Sequence, residues 1–208
     1  MEFSTLSSRI ASALAIAVLT WQASAADNTV SRQNIFLDAA SSEVDYKKNT
    51  VEFKDIVISQ GDIKVEANHA EAEATGLNFK TGVWTFSGDV RIHVEKRGNL
   101  RSDQAVVDFK DSQIVKATIT GKPAQFEQQR AASDQLARGH AGQIVYEPVD
   151  GVVRLSNDAW LSDGRNEIRG PLLVYNIRQQ HVEAVAQPGN DDRVHITIVP
   201  GQDERKPK

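Results

Sequence analysis

Apolar and polar residues alternate with period two over much of the chain, most clearly from Trp84 to Val94, WTFSGDVRIHV. Trp84, Phe86, Val90, Ile92 and Val94 fall on one parity, and Thr85, Ser87, Asp89, Arg91 and His93 fall on the other. Successive side chains of an extended strand point to opposite faces, so this pattern predicts a strand with one face buried and one wet. The alternation recurs at Val115, Ala117 and Ile119, at Leu155, Ala159 and Leu161, at Leu173, Tyr175 and Ile177, and at Val194, Ile196 and Ile198. Only Asn68 to Glu73 and Ala131 to Ala137 read as local helix, and both are short.

The predicted strands come as a repeating unit, in which one strand leads through a Gly or Asn turn to a second that opens with a small residue. The second halves align as AASSEVDY from Ala39, ANHAEAEA from Ala67, SDQAVVDF from Ser102, GHAGQIVY from Gly139 and GPLLVYNI from Gly170. First halves correspond at Val51, Trp84 and Val153. Spacings of roughly 28 to 37 residues imply a stacked array, because one hairpin cannot bury its own face whereas several can. Such an array has two ends, each with unpaired N–H and C=O groups open to a further strand. If both ends accept partners, units follow one another head to tail without closing. Two facing sheets that do not close also leave an apolar slot between them.

Composition supports an all-β reading, since 21 valines and 14 isoleucines outnumber 11 leucines. With 40% hydrophobic and 25% charged residues the chain can bury a core. Its 28 acids against 24 bases argue against nucleic acid as a partner. Residues 1–25 have the layout of a cleaved signal peptide, with Arg9, an apolar run from Ile10 to Trp21, then Ala23, Ser24 and Ala25. The run is about a dozen residues, short of the ~20 that span hydrocarbon. Residues 26–200 are expected to form a single domain and 201–208 a polar flexible tail.

No catalytic constellation assembles. There is no cysteine, and the five histidines His69, His93, His140, His181 and His195 lack metal-ligand spacing. A nucleophile elbow, a phosphate-cradling loop and a dinucleotide fingerprint are also missing, so neither an enzyme nor a cofactor is expected. Asp191 and Asp192 read as a turn. The bases Arg91, Lys96, Arg97 and Arg101 read as a solvated face rather than a phosphate site.

GKPAQFEQQ at Gly121 to Gln129, GHAGQIVYE at Gly139 to Glu147 and IRGPLLVYNI at Ile168 to Ile177 resemble the LptA/OstA family of periplasmic lipopolysaccharide-transport proteins. The resemblance extends from about Gln33 to Pro200, taking in QNIFLDA, QGDIKVEAN and VHITIVP. It implies an open β-jelly roll of stacked antiparallel hairpins with two exposed edges, whose interior holds the acyl chains of lipid A. On the same resemblance Ile35, Phe126 and Tyr146 line the lipid groove, and their inward neighbours Trp84, Phe86, Ile144 and Leu155 are candidates with them. The edge Ile35, Phe36, Leu37 and Asp38 should receive an inner-membrane LptC-like partner. The edge carrying Val194, Ile196 and Ile198 should offer itself to the next copy or to an outer-membrane LptD-like partner. A strand unit near residues 82–114 is additional to the short family members.

The expected function is therefore a passive periplasmic bridge for lipopolysaccharide. Alternatives are a membrane-tethered LptC-like adaptor, or a β-scaffold that binds no lipid.

Overall fold

A computed structural model of the chain describes residues 34–73, 81–95, 98–111, 113–129, 136–176, 179, 181–186 and 193–199. The leader at 1–25, the tail at 201–208, Lys96, Arg97, Asp191 and Asp192 lie outside them. Every element described is a strand: β1 (Phe36–Asp38), β2 (Ser41–Asp45), β3 (Thr50–Gln60), β4 (Ile63–Glu73), β5 (Gly82–Val94), β6 (Gly98–Lys110), β7 (Gln113–Gln129), β8 (Leu136–Glu147), β9 (Val152–Ser162), β10 (Glu167–Asn176), β11 (His181–Val185) and β12 (His195–Thr197). β3 to β10 pair in sequence order as an antiparallel meander. β1 and β2 both pair with β3, whereas β11 and β12 both pair with β10.

The long strands are bent at mid-length. Register shifts fall between Glu66 and His69, Ser87 and Val90, Arg101 and Gln104, Thr120 and Ala124, His140 and Gln143, and Gly170 and Leu172. These positions line up across the sheet, so the bulges add to one continuous corner, since each bulge bends its strand. Asp55, Gly88, Asp89, Asn157 and Asp158 sit on it with positive φ, a conformation that glycine and short polar residues adopt at least cost. The Gly88–Asp89 and Asn157–Asp158 pairs are corners inside β5 and β9, so the strands read through them in the sequence are continuous but bent.

The corner divides the meander into two layers. One contains 50–54 of β3 and 172–176 of β10, and it ends on β2 and β11. The other contains 57–59 of β3 and 167–169 of β10, and it ends on β1 and β12. Each hairpin therefore contributes to both layers instead of stacking as a separate unit. Leu155, Leu161 and Leu173 are 0% exposed, which a single sheet open on one side does not achieve. Burying each such side chain contributes about 1.5–3 kcal/mol, and the layers cover one another as an open β-jelly roll.

The helix expected at Asn68 to Glu73 is instead the second part of β4. Ala70 lies between Phe53 and Phe86, and Ala72 lies between Val51 and Trp84. The Phe53 and Trp84 rings stack over this strand with centroids 5.9 Å apart and planes at 5°. Only a methyl-sized residue leaves room for that stack, so packing overrides the helical preference of alanine. Of the second expected helix, Leu136 and Ala137 open β8, and residues 131–135 lie outside the described part.

Candidate functional site

Following the ladder pairs from strand to strand gives three inward-facing rows that run along the array. In the layer ending on β1 and β12, the row is Leu37, Ile58, Val65, Ile92, Leu100, Phe126, Gly139, Leu161, Ile168 and Ile196. In the other layer, the row nearer the corner is Ser42, Phe53, Ala70, Phe86, Ala105, Ile119, Ile144, Leu155, Leu173 and Ala184. The row nearer its strand ends is Val44, Val51, Ala72, Trp84, Val107, Ala117, Tyr146, Val153, Tyr175 and Val182. At about 4.8 Å per strand, each row extends on the order of 40 Å.

No charged side chain interrupts any row. Between β3 and β10 the side chains of the row nearer the corner are buried, while Ile58, Val65, Trp84, Ile92, Val107 and Tyr146 are partly exposed. The lining thus forms a groove that is filled along the corner and accessible from its lip, most of all over β3 to β6. Burial holds the Tyr146 and Tyr175 phenols above their ordinary range.

Six of the expected lipid-facing residues lie on these rows: Phe126 in one layer, and Trp84, Phe86, Tyr146, Ile144 and Leu155 in the other. Phe86, Phe126, Ile144 and Leu155 are buried, and Trp84 and Tyr146 stand at the lip. Ile35 precedes β1, is 65% exposed at the end of the array, and shares the parity of Leu37. β5 and β6, which make up most of residues 82–114, carry all three rows without a break.

The expected partner edges occupy opposite ends of one layer. Phe36, Leu37 and Asp38 form β1, whose only partner among the described strands is β3. Ile196 lies in β12, whose only such partner is β10, and Val194 and Ile198 flank it. Exposed apolar side chains concentrate here, at Ile35, Phe36 and Leu37 on one end and Ile196, Ile198 and Val199 on the other. β2 and β11, the edges of the second layer, carry acids, Glu43 and Asp45 in one and Glu183 in the other.

The buried polar residues Thr50, Ser102, Gln128, Ser162 and Asp163 escaped the sequence reading, and two of them leave a side-chain oxygen unpartnered. Ser102 and Gln128 face inward in β6 and β7, and neither the Ser102 Oγ nor the Gln128 Oε1 has a hydrogen-bond partner. Period-two parity places both inside, because Gln128 is two residues beyond Phe126 and Ser102 two beyond Leu100, but the run of Gln and Ser looks solvated in sequence.

The outer faces are wet and ion-paired. Arg138 lies 3.1 Å from Glu127, Lys64 lies 2.7 Å from Glu66, and Arg154 bonds Glu147. Arg91 is held by Asp89 on this face, and Arg101 stands opposite it across the strand pair. The His140 and Trp160 rings stack at 5.2 Å beside a polar cleft lined by Trp160, Glu167, Arg169, His195 and Thr197. The described residues contain no cluster of acids and histidines suited to a metal.

Residues 69–181, more than half of the chain, match the family model described as LptA/(LptD N-terminal domain) LPS transport protein. The lipopolysaccharide export system protein LptA of Escherichia coli strain K12 is 30% identical over 136 residues, covering 64% of this chain and 71% of that protein. The lipopolysaccharide export system protein LptH of Pseudomonas aeruginosa is 27% identical over 143 residues, 66% of this chain and 79% of its own. The crystal structure of LptH, the LptA homologous periplasmic component of the conserved lipopolysaccharide transport device from Pseudomonas aeruginosa, superposes with a TM-score of 0.51 at 22% identity. It covers 81% of this chain and 96% of the LptH chain, and it shows the fold. With its bent meander and the match through β4 to β10, the chain belongs to the LptA/(LptD N-terminal domain) family of lipopolysaccharide transport proteins.

Proposed function

We propose that this chain is a periplasmic bridge that conducts lipopolysaccharide from an inner-membrane export complex to an outer-membrane translocon. The observation that carries the reading is the set of three apolar rows running between the two ends of the array. Each methylene of an acyl chain gains about 0.8 kcal/mol on leaving water, so a lining of modest apolar contacts holds the chains of lipid A along its length. A charge on these rows would halt the lipid through unpaired desolvation, and none is present. Sugars and phosphates remain at the lip, in solvent.

The edges give the bridge its direction of assembly. β1 receives an LptC-like inner-membrane protein, β12 meets an LptD-like outer-membrane protein, and copies join head to tail by pairing β12 of one with β1 of the next. The leader at 1–25 exports the chain, residues 26–200 act as one domain, and 201–208 form a polar tail. No step of this work is catalytic, and energy enters from a separate ATPase.

The test is a photo-crosslinking residue at Phe126 in living cells, with Arg91 on the wet face as control. An adduct containing lipopolysaccharide at Phe126 and none at Arg91 is expected. Folded, exported protein with no adduct at Phe126 would leave a scaffold in place of a conduit.

A further inference from the structure

The groove contains a polar point that an apolar conduit does not need. Gln128 is only 7% exposed, yet its Oε1 accepts no hydrogen bond. It lies opposite Gly98 on β6 and Ala137 on β8, next to the end of β7, and thus just below the lip. Val94 and Ala137 are buried apolar residues at the level of Gln128, and two residues deeper Leu100 and Phe126 continue the apolar lining. A buried amide oxygen without a donor is costly, so its burial points to a donor that arrives with the ligand. Ser102 is 8% exposed and also unpartnered, but it sits beside the corner, and a hydroxyl rotates to find a backbone acceptor where a packed amide does not.

We propose that Gln128 is a specificity-determining residue, which selects amphiphiles bearing a hydroxyl or amide N–H a few carbons from the head group. The inference rests on the groove reading above. A chain lying along Leu100 and Phe126 with its head in water brings that part of its length to Gln128, where the donor meets Oε1. A plain alkyl chain passes the same point and leaves the oxygen unpaired.

The probes are hexadecanoate and 3-hydroxyhexadecanoate below their micellar concentrations, titrated calorimetrically into the mature protein, Gln128→Met and Ser102→Ala. The native protein should bind the hydroxylated chain about five- to tenfold more tightly, the ratio for one net hydrogen bond. Gln128→Met should lose the preference while still binding hexadecanoate, and Ser102→Ala should keep it. Urea midpoints for both variants establish that they fold. If both probes bind the native protein equally, the groove stands and the role of Gln128 falls. A preference that survives Gln128→Met, or vanishes in Ser102→Ala alone, overturns the assignment. Failure of both probes to bind overturns the groove reading together with it.

Discussion

Replacing Gly139 by alanine tests whether the side chains of neighbouring strands pack as tightly along the row through Phe126 as the geometry implies. A Cβ at Gly139 would lie 2.5 Å from Cε1 and Cζ of Phe126 and 2.6 Å from Cδ2 of Leu161. Both neighbours are buried, so neither moves aside into water. Gly139 does not have a positive φ, which makes the cost steric rather than conformational. Overpacking of this kind costs about 1–3 kcal/mol, and losing a glycine inside a strand returns about 0.5–1, for a net loss of about 1–2 kcal/mol. At about 2–4 °C per kcal/mol for a domain of this size, the melting midpoint should fall by about 2–8 °C. Phe126→Leu shortens the ring that clashes, so the double variant should recover about 1 kcal/mol relative to the sum of the single changes. Urea unfolding of the four proteins measures this coupling. A Gly139→Ala midpoint equal to the native one, or strict additivity, would refute the packing argument.

Other outcomes follow from the same geometry. Leu155→Ala, at a fully buried position, should lose about 2–5 kcal/mol by urea unfolding, whereas a loss below 1 would mean that the interior is loose there. Because burial raises the Tyr146 and Tyr175 phenols above 10.0, the folded chain keeps protons that the unfolded chain releases. Stability should hold below about pH 10 and decline as pH rises through the folded values, and the decline should be smaller in a Tyr146→Phe, Tyr175→Phe double variant. Leu37→Glu and Ile196→Glu, at opposite edges, should each reduce self-association in light scattering while changing monomer stability by no more than about 0.5 kcal/mol. Unchanged association in either variant would remove that edge from the assembly.

Much of this fold is legible because period-two alternation maps directly onto strand faces. Trp84, Phe86, Val90, Ile92 and Val94 keep one parity through the corner, where β5 gains one residue on each neighbouring strand at Gly88 and Asp89. What sequence does not reveal is that Asp89 and Asp158 mark bends within strands, because a glycine or asparagine next to aspartate suits a hairpin turn equally well. The alternation of alanine with acids in β4 fits both a helix and a strand, and only the rings of Phe53 and Trp84 on either side decide between them. Candidate lining residues could be recognised by parity, but the rows could not, because they depend on which residue of each strand stands opposite which. Gln128 was hidden for the reverse reason: its chemistry reads as surface although its parity reads as core.

The corner has a consequence for how such chains change length. Since every hairpin carries its own part of both layers and of the bend between them, a hairpin is a complete segment of conduit. Removing β5 and β6 would bring β7 beside β4 in the orientation that β5 has now, so Ala72 could meet Ala117 and Ala70 could meet Ile119 with the rows intact. Removing one strand would instead reverse the direction of everything after it. The reach of this architecture can therefore grow or shrink by strand pairs, and the edge strands at its ends need no redesign when it does.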